Sequence, residues 1–110
     1  VDAKKLYDHI PAHHYPGQAL VCELYQVGGI RTVEIGSVMF GTYDSGGHLI
    51  AAPMELVRLA IPRRVYTQSH IDYVIEVFDE ILRTKEKVKG LRIIKEPKFL
   101  RHFTSHFEKL

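Results

Sequence analysis

The stretch Leu56-Val57-Arg58-Leu59-Ala60-Ile61-Pro62-Arg63-Arg64-Val65-Tyr66-Thr67 decides how this chain folds. It reads as a strand that stops at Pro62, with a helix starting just after Thr67. Val57, Leu59 and Ile61 alternate, so they share one face of the strand and can pack on a core. Arg58 points the other way, flanked on its own face by Leu56 and Ala60. An arginine held between two apolar neighbours has little freedom. Its guanidinium forks toward whatever lies above that face, and a carboxylate or phosphate fits the fork with two hydrogen bonds. Spacing alone favours a plainer reading, a surface arginine on the solvent side of a sheet.

The helix that follows carries the clearest pattern. Thr67 is a good N-cap. Ile71, Val74, Ile75, Phe78, Ile81 and Leu82 recur at intervals of three and four and form one apolar stripe. Lys85, Lys87 and Lys89 crowd the last turns, where the helix dipole favours cations, and Gly90 is the expected residue just past the end. Leu91 to Pro97 then reads as a short strand closed by proline. The tail Lys98 to Leu110 reads as a terminal helix of about three turns.

Upstream, Val1-Asp2-Ala3 reads as a strand stub, and Asp2 can cap a short helix reaching about His9. Leu20, Val21, Leu24, Tyr25 and Val27 fall at helical spacing, and Gly28-Gly29 ends that helix. Ile30, Val33, Ile35, Val38 and Phe40 suggest a mostly buried strand bent at Gly36. Gly46-Gly47 would join two antiparallel strands. The whole reads as an α+β layer, a small antiparallel sheet covered on one face by helices, in one domain over residues 1–110.

Composition bounds the function. The chain has 110 residues, 45% hydrophobic and 25% charged, which allows one domain with a modest core. The net charge of +2 is slight and dispersed, so nucleic acid is not an expected partner. No apolar run approaches the roughly 18 residues that span a bilayer. The first residues, VDAKKLYDHI, lack the apolar segment of a signal peptide. A single cysteine, Cys22, excludes an internal disulfide and suits a reducing, cytoplasmic setting. Cys22 lies inside a helix with no base beside it and reads as a small packed side chain. No cysteine or carboxylate completes a metal-ligand set around His9, His13 and His14, which read as loop histidines. The chain opens on Val1 rather than methionine, so a fragment or separate segment of a longer protein is expected.

Three stretches carry a resemblance: ALVCELYQVGGIRTVEIGS at 19–37, ELVRLAIPRRVYTQSHID at 55–72 and GLRIIKEPKFLRHFTSHFEKL at 90–110. Together they resemble the C-terminal part of the tryptophanases, in the family of pyridoxal-phosphate-dependent β-eliminating lyases that also holds tyrosine phenol-lyase. The resemblance covers essentially the whole chain, in order. It implies the small C-terminal domain of a fold-type I pyridoxal-phosphate enzyme, in a cytoplasmic homotetramer that cleaves L-tryptophan to indole, pyruvate and ammonia.

It also implies roles. Arg58 would bind the α-carboxylate of the substrate, which orients the α C–H bond for proton removal while the cofactor ring stores the charge. His102 would face the leaving group, where an imidazole can accept or relay a proton. Phe103 would pack over the bound side chain, or serve as core. Ile35 stands where tyrosine phenol-lyase carries an arginine near the phenol oxygen, and an apolar residue there suits indole. The Arg63-Arg64 pair departs toward the phenol-lyase branch. Arg63, Arg64 and Arg101 could help a subunit or domain interface, or read as solvated basic residues that need no such role.

The Schiff-base lysine, the cofactor-phosphate loop and the potassium site of the family have no counterpart in this stretch, and Lys4 and Lys5 lack the family's surrounding motif. The chain alone is expected to be inactive. It would bind the amino acid in company with a large pyridoxal-phosphate-binding domain. Two alternatives stay open. One is a lyase of the tyrosine phenol-lyase or cysteine desulfhydrase type. The other is a stand-alone, non-catalytic carboxylate-binding or association module.

Overall fold

A computed structural model describes residues 1–98 and 100–110. The helices are α1 (Ala3–Leu6), α2 (Pro16–Gly28), α3 (Ser37–Phe40), α4 (Gln68–Thr84) and α5 (Arg101–Thr104). The strands are β1 (Val33–Ile35), β2 (Thr42–Tyr43), β3 (Leu49–Ile50), β4 (Leu56–Arg58), β5 (Leu91–Lys95) and β6 (His106–Lys109). The fold is α+β, and its pairing is antiparallel throughout the described residues. It is divided into three two-stranded ladders, β1–β4, β2–β3 and β5–β6, rather than gathered in one sheet.

The core forms where α1, α2 and α4 close on β4 and β5. Tyr7, Leu20, Leu24, Val57, Ile81 and Leu91 are buried there together. The amino terminus is tied to it. The Val1 amino group donates to the Val57 carbonyl at 2.8 Å, and Val57 N–H donates back to Val1 at 2.9 Å. Asp2 then caps α1, accepting from the amides of Lys4 and Lys5 at 3.1 and 3.2 Å. The strand stub and its cap are thus as the sequence reads, although α1 stops at Leu6.

Helix α2 ends at Gly29, whose φ of +66° is the left-handed conformation that a glycine adopts without penalty. Gly28 lets α4 approach. A β-carbon at 28 would lie 2.6 and 2.8 Å from the two γ-carbons of Val77. Gly28→Ala gains helix propensity of about 1 kcal/mol, but overpacking costs about 1–3 kcal/mol. We expect a lower urea midpoint for Gly28→Ala, restored by Gly28→Ala with Val77→Ala.

The stripe on α4 is rotated from its expected centre. Val77 and Ile81 are buried, Ile71, Val74 and Phe78 are half-buried, and Ile75 and Leu82 face out. The reason is Gly28, which draws the Val77 side of α4 inward. Helix α4 ends at Thr84 and runs into a 3₁₀ turn over Lys85–Lys87. Gly90 therefore does not cap it directly. It holds φ of +100° instead, in a turn that would bring a β-carbon within 2.6 Å of the His14 carbonyl.

Three further expectations are corrected. Strand β4 ends at Arg58, so Leu59 and Ile61 lie beyond it, and Ile61 is exposed. The expected long strand through Phe40 stops at Ile35, and Ser37–Phe40 forms a helical turn. The expected terminal helix is one turn, α5, followed by β6, which pairs with β5 from Leu91↔Lys109 to Lys95↔His106. The free edge of β5 offers unpaired backbone groups to that segment, and pairing with them outweighs a marginal short helix. Phe99 in that tail lies outside the described residues.

Candidate functional site

Strands β1 and β4 pair with Val33 opposite Arg58, Glu34 opposite Val57 and Ile35 opposite Leu56. Directly opposed residues point to the same face of an antiparallel ladder, and successive residues alternate. Arg58, Val33, Ile35 and Leu56 therefore share one face. That face is open: Val33 and Arg58 are exposed, while Ile35 and Leu56 are half-buried. It is an apolar floor with one guanidinium at its edge. Among the described residues no carboxylate pairs with Arg58.

The opposite face carries Val57 and Glu34, both buried. The strand is thus inverted from the usual pattern, with its carboxylate inside and Val33 outside. Glu34 Oε2 accepts from the Met39 amide at 3.2 Å, and its Oε1 has no partner. Burial first, and the neighbouring Glu55 second, push the Glu34 carboxyl up to about 7. Glu55 is buried too, and it is held by Ser37, whose amide donates to Oε2 at 3.1 Å and whose hydroxyl donates to Oε1. The Ser37 hydroxyl in turn accepts from the Ala52 amide at 3.1 Å. Gly36 makes room for both carboxylates, because a β-carbon there would run into Glu55 Oε2 and come within 2.6 Å of Glu34 Oε1. Ser37 and the two glutamates form a polar clasp under the ladder. One signal for it was present in the sequence, a glutamate alternating out of phase with Val33 and Ile35.

His102 and Phe103 stand on α5. Their rings lie 4.2 Å apart and tilted by 41°. His102 is half-buried, and Phe103 is 74% exposed. Phe103 is therefore not a core residue of this chain. Helix α5 packs on α3, the turn that leaves Ile35 through Gly36. Arg101 makes that join. Its Nε donates to the Val38 carbonyl at 2.7 Å, a terminal nitrogen donates to the Ser37 carbonyl, and the other pairs with Glu96 at 3.3 Å. With 11% of its side chain exposed, Arg101 is not the solvated residue that the sequence suggests.

Ladder β1–β4 brings Arg58 and Ile35 onto one face. Helix α5 brings His102 and Phe103 to the corner that follows Ile35. Arg63 and Arg64 lie in the exposed turn before α4, where the Val65 amide donates to Pro62 at 3.1 Å. His9, His13 and His14 stay apart from the site. His9 donates from Nε2 to the Val88 carbonyl at 2.6 Å, and His13 packs on His14 with ring centroids 4.3 Å apart. Among the described residues no group of three histidine, cysteine, aspartate or glutamate side chains is placed to hold a metal ion. No described helix is long and apolar enough to cross a membrane.

A pyridoxal cofactor bound through a lysine needs an amine withdrawn from water. Among the described residues no lysine is buried, and only Lys95, at the far end of β5, and Lys109 on β6 lie in a ladder. These residues do not fit the cofactor. The ladder's exposed guanidinium is suited to an anion instead.

No family model matches the chain. Single proteins do. The chain is 57% identical over all of its 110 residues to a tryptophanase of Hyphomonas neptunium, covering 24% of that protein. It is 54% identical to a tryptophanase of Rhodobacter capsulatus, again over its full length and 24% of the relative. To a tryptophanase of Escherichia coli O157:H7 it is 50% identical, covering 23%. From its first described residue to its last, this chain is similar to tryptophanases, and it spans about a quarter of the length of the relatives it matches.

Proposed function

We propose that this chain is the C-terminal small domain of a tryptophanase-like lyase and that it binds the amino-acid substrate. One observation carries the reading: Arg58 stands unpaired among the described residues, on an open ladder face whose other members are apolar. An amino acid with a large apolar side chain has that character, one carboxylate beside a hydrocarbon surface. Arg58 takes the carboxylate with two hydrogen bonds, and Val33, Ile35 and Leu56 lie alongside to exclude water. Fixing the carboxylate turns the α C–H bond toward the base that removes its proton. His102 holds a proton-accepting nitrogen near the leaving ring, and Phe103 covers it.

The complete enzyme cleaves L-tryptophan to indole, pyruvate and ammonia. Pyridoxal phosphate, and potassium where it is used, are held by the remaining three quarters of the lyase, in a cytoplasmic homotetramer. Ile35 favours indole over phenol. A phenol hydroxyl set against an isoleucine would lose its hydrogen bond to water at a cost of about 1–3 kcal/mol.

The test is product release by the whole lyase. With L-tryptophan we expect indole, and with L-tyrosine a kcat/KM for phenol release lower by about tenfold or more. Faster release of phenol than of indole would overturn the tryptophan assignment and favour the sister branch.

A further inference from the structure

We propose that Arg101 is a positioning residue: it clamps α5 to the corner after β1, and so sets where His102 and Phe103 stand relative to Ile35 and Arg58. The inference rests on the proposed function for its consequence, but not for its geometry. Helix α5 has four residues, too few to hold themselves helical. Its N-cap, Leu100, sits at φ of +52° and brings no side-chain cap. That left-handed backbone costs a non-glycine residue about 1 kcal/mol. The turn therefore needs tertiary bonds, and Arg101 supplies them from inside it.

The whole guanidinium fork is used. Nε and one terminal nitrogen grip the consecutive carbonyls of Val38 and Ser37. The other terminal nitrogen meets Glu96 at 3.3 Å, and the guanidinium lies 5.2 Å from the centre of the Tyr43 ring. The Tyr43 hydroxyl donates to the same Glu96 oxygen at 3.3 Å and closes the circuit. Gly41 leaves the space, since a β-carbon there would stand 2.9 Å from the Arg101 terminal nitrogen. Below the fork, the Ser105 amide donates to the Arg101 carbonyl at 3.0 Å and closes the turn. Ser37 follows Ile35 by two residues, so one side chain joins His102 to the substrate-facing ladder. A lysine would reach one carbonyl but could not grip two in the same plane.

The partners of Arg101, namely Ser37, Val38, Glu96 and Tyr43, lie outside the β1–β4 ladder, so it acts through His102 and Phe103. Its loss should matter for a substrate with a ring beneath those side chains, and little for one without. In the whole lyase, Arg101→Lys is compared with the parent for pyruvate formed from L-tryptophan and from L-serine. We expect kcat/KM to fall about tenfold or more with tryptophan and to stay within about twofold with serine. In a His102→Ala, Phe103→Ala background the same change should have less than about a threefold effect on tryptophan, because nothing is left to position.

Equal losses with both substrates, or an undiminished loss in that background, would overturn the positioning role. Hydrogen exchange decides the clamp separately. The amides of residues 101–105 should exchange faster in Arg101→Lys, and unchanged protection would overturn it. A parent lyase that makes no indole from tryptophan would defeat the proposed function instead, with the exchange measurement still deciding the clamp.

Discussion

Arg58→Ala in the whole lyase is expected to lower kcat/KM for L-tryptophan about a hundredfold. A hydrogen bond to a charged group contributes about 1.5–3 kcal/mol, and a guanidinium–carboxylate pair makes two in parallel. A loss near 3 kcal/mol, at about 1.4 kcal/mol per tenfold, gives that factor. Most of it should appear in KM, with a further fall in kcat because a loosely held carboxylate lets the α C–H bond wander. Arg58→Lys should recover only part, since a point charge replaces the fork. The fold should be indifferent. Arg58 is exposed and has no ion pair among the described residues, so the unfolding free energy should move by no more than about 0.5 kcal/mol. Unchanged kinetics with tryptophan would remove Arg58 from the site and the proposed function with it.

Glu34→Gln is expected to leave stability unchanged near pH 4.5 and to stabilise the chain increasingly as pH rises toward about 7, with the full gain kept above it. Glu34 is 5% exposed, and its carboxyl pKa is raised from 4.5 to about 7. A raised carboxyl pKa means that the folded state prefers the protonated form. Its contribution to stability is fully present below about 4.5 and is lost as pH rises through about 7. At about 1.4 kcal/mol per unit, the span is on the order of 3 kcal/mol. Glutamine keeps an oxygen for the Met39 amide and carries no charge beside Glu55. Urea midpoints of the 110-residue chain and its Glu34→Gln variant should nearly coincide at pH 4.5 and separate at pH 8.5, with the variant higher. Parallel pH profiles would show that Glu34 does not titrate in this range. Glu34 lies between Val33 and Ile35, on the buried side of the ladder beneath the open face.

Much of this architecture is local and was legible without coordinates. Asp2 as a cap, Gly28-Gly29 as the end of α2, Gly46-Gly47 between two antiparallel strands, Thr67 before α4 and the β5 strand all follow from propensity, capping and turn chemistry within a few residues. The exposure of Arg58 beside Leu56 on one strand face was legible too, although Ala60 lies beyond the strand. The assignment of Arg58 to a substrate came from resemblance over the whole chain, which no single motif carries.

Other features are pairings between distant segments, and no local pattern determines those. The tail His106–Lys109 becomes a strand because β5 offers it an edge. Val77 rather than Ile75 turns inward on α4 because Gly28, 49 positions earlier, lets the two helices close. Glu34 is buried because the ladder face with Val57 turns toward the core, while the face with Arg58 stays open. Arg101 looks like any basic residue beside a histidine until the chain places two carbonyls from 63 and 64 residues away in its plane. The sequence by itself determined which residues cap and turn, since those properties belong to side chains and their immediate neighbours. Only the tertiary structure decided which face stays open and which turn is held beside it, because long-range backbone pairing and desolvation set both.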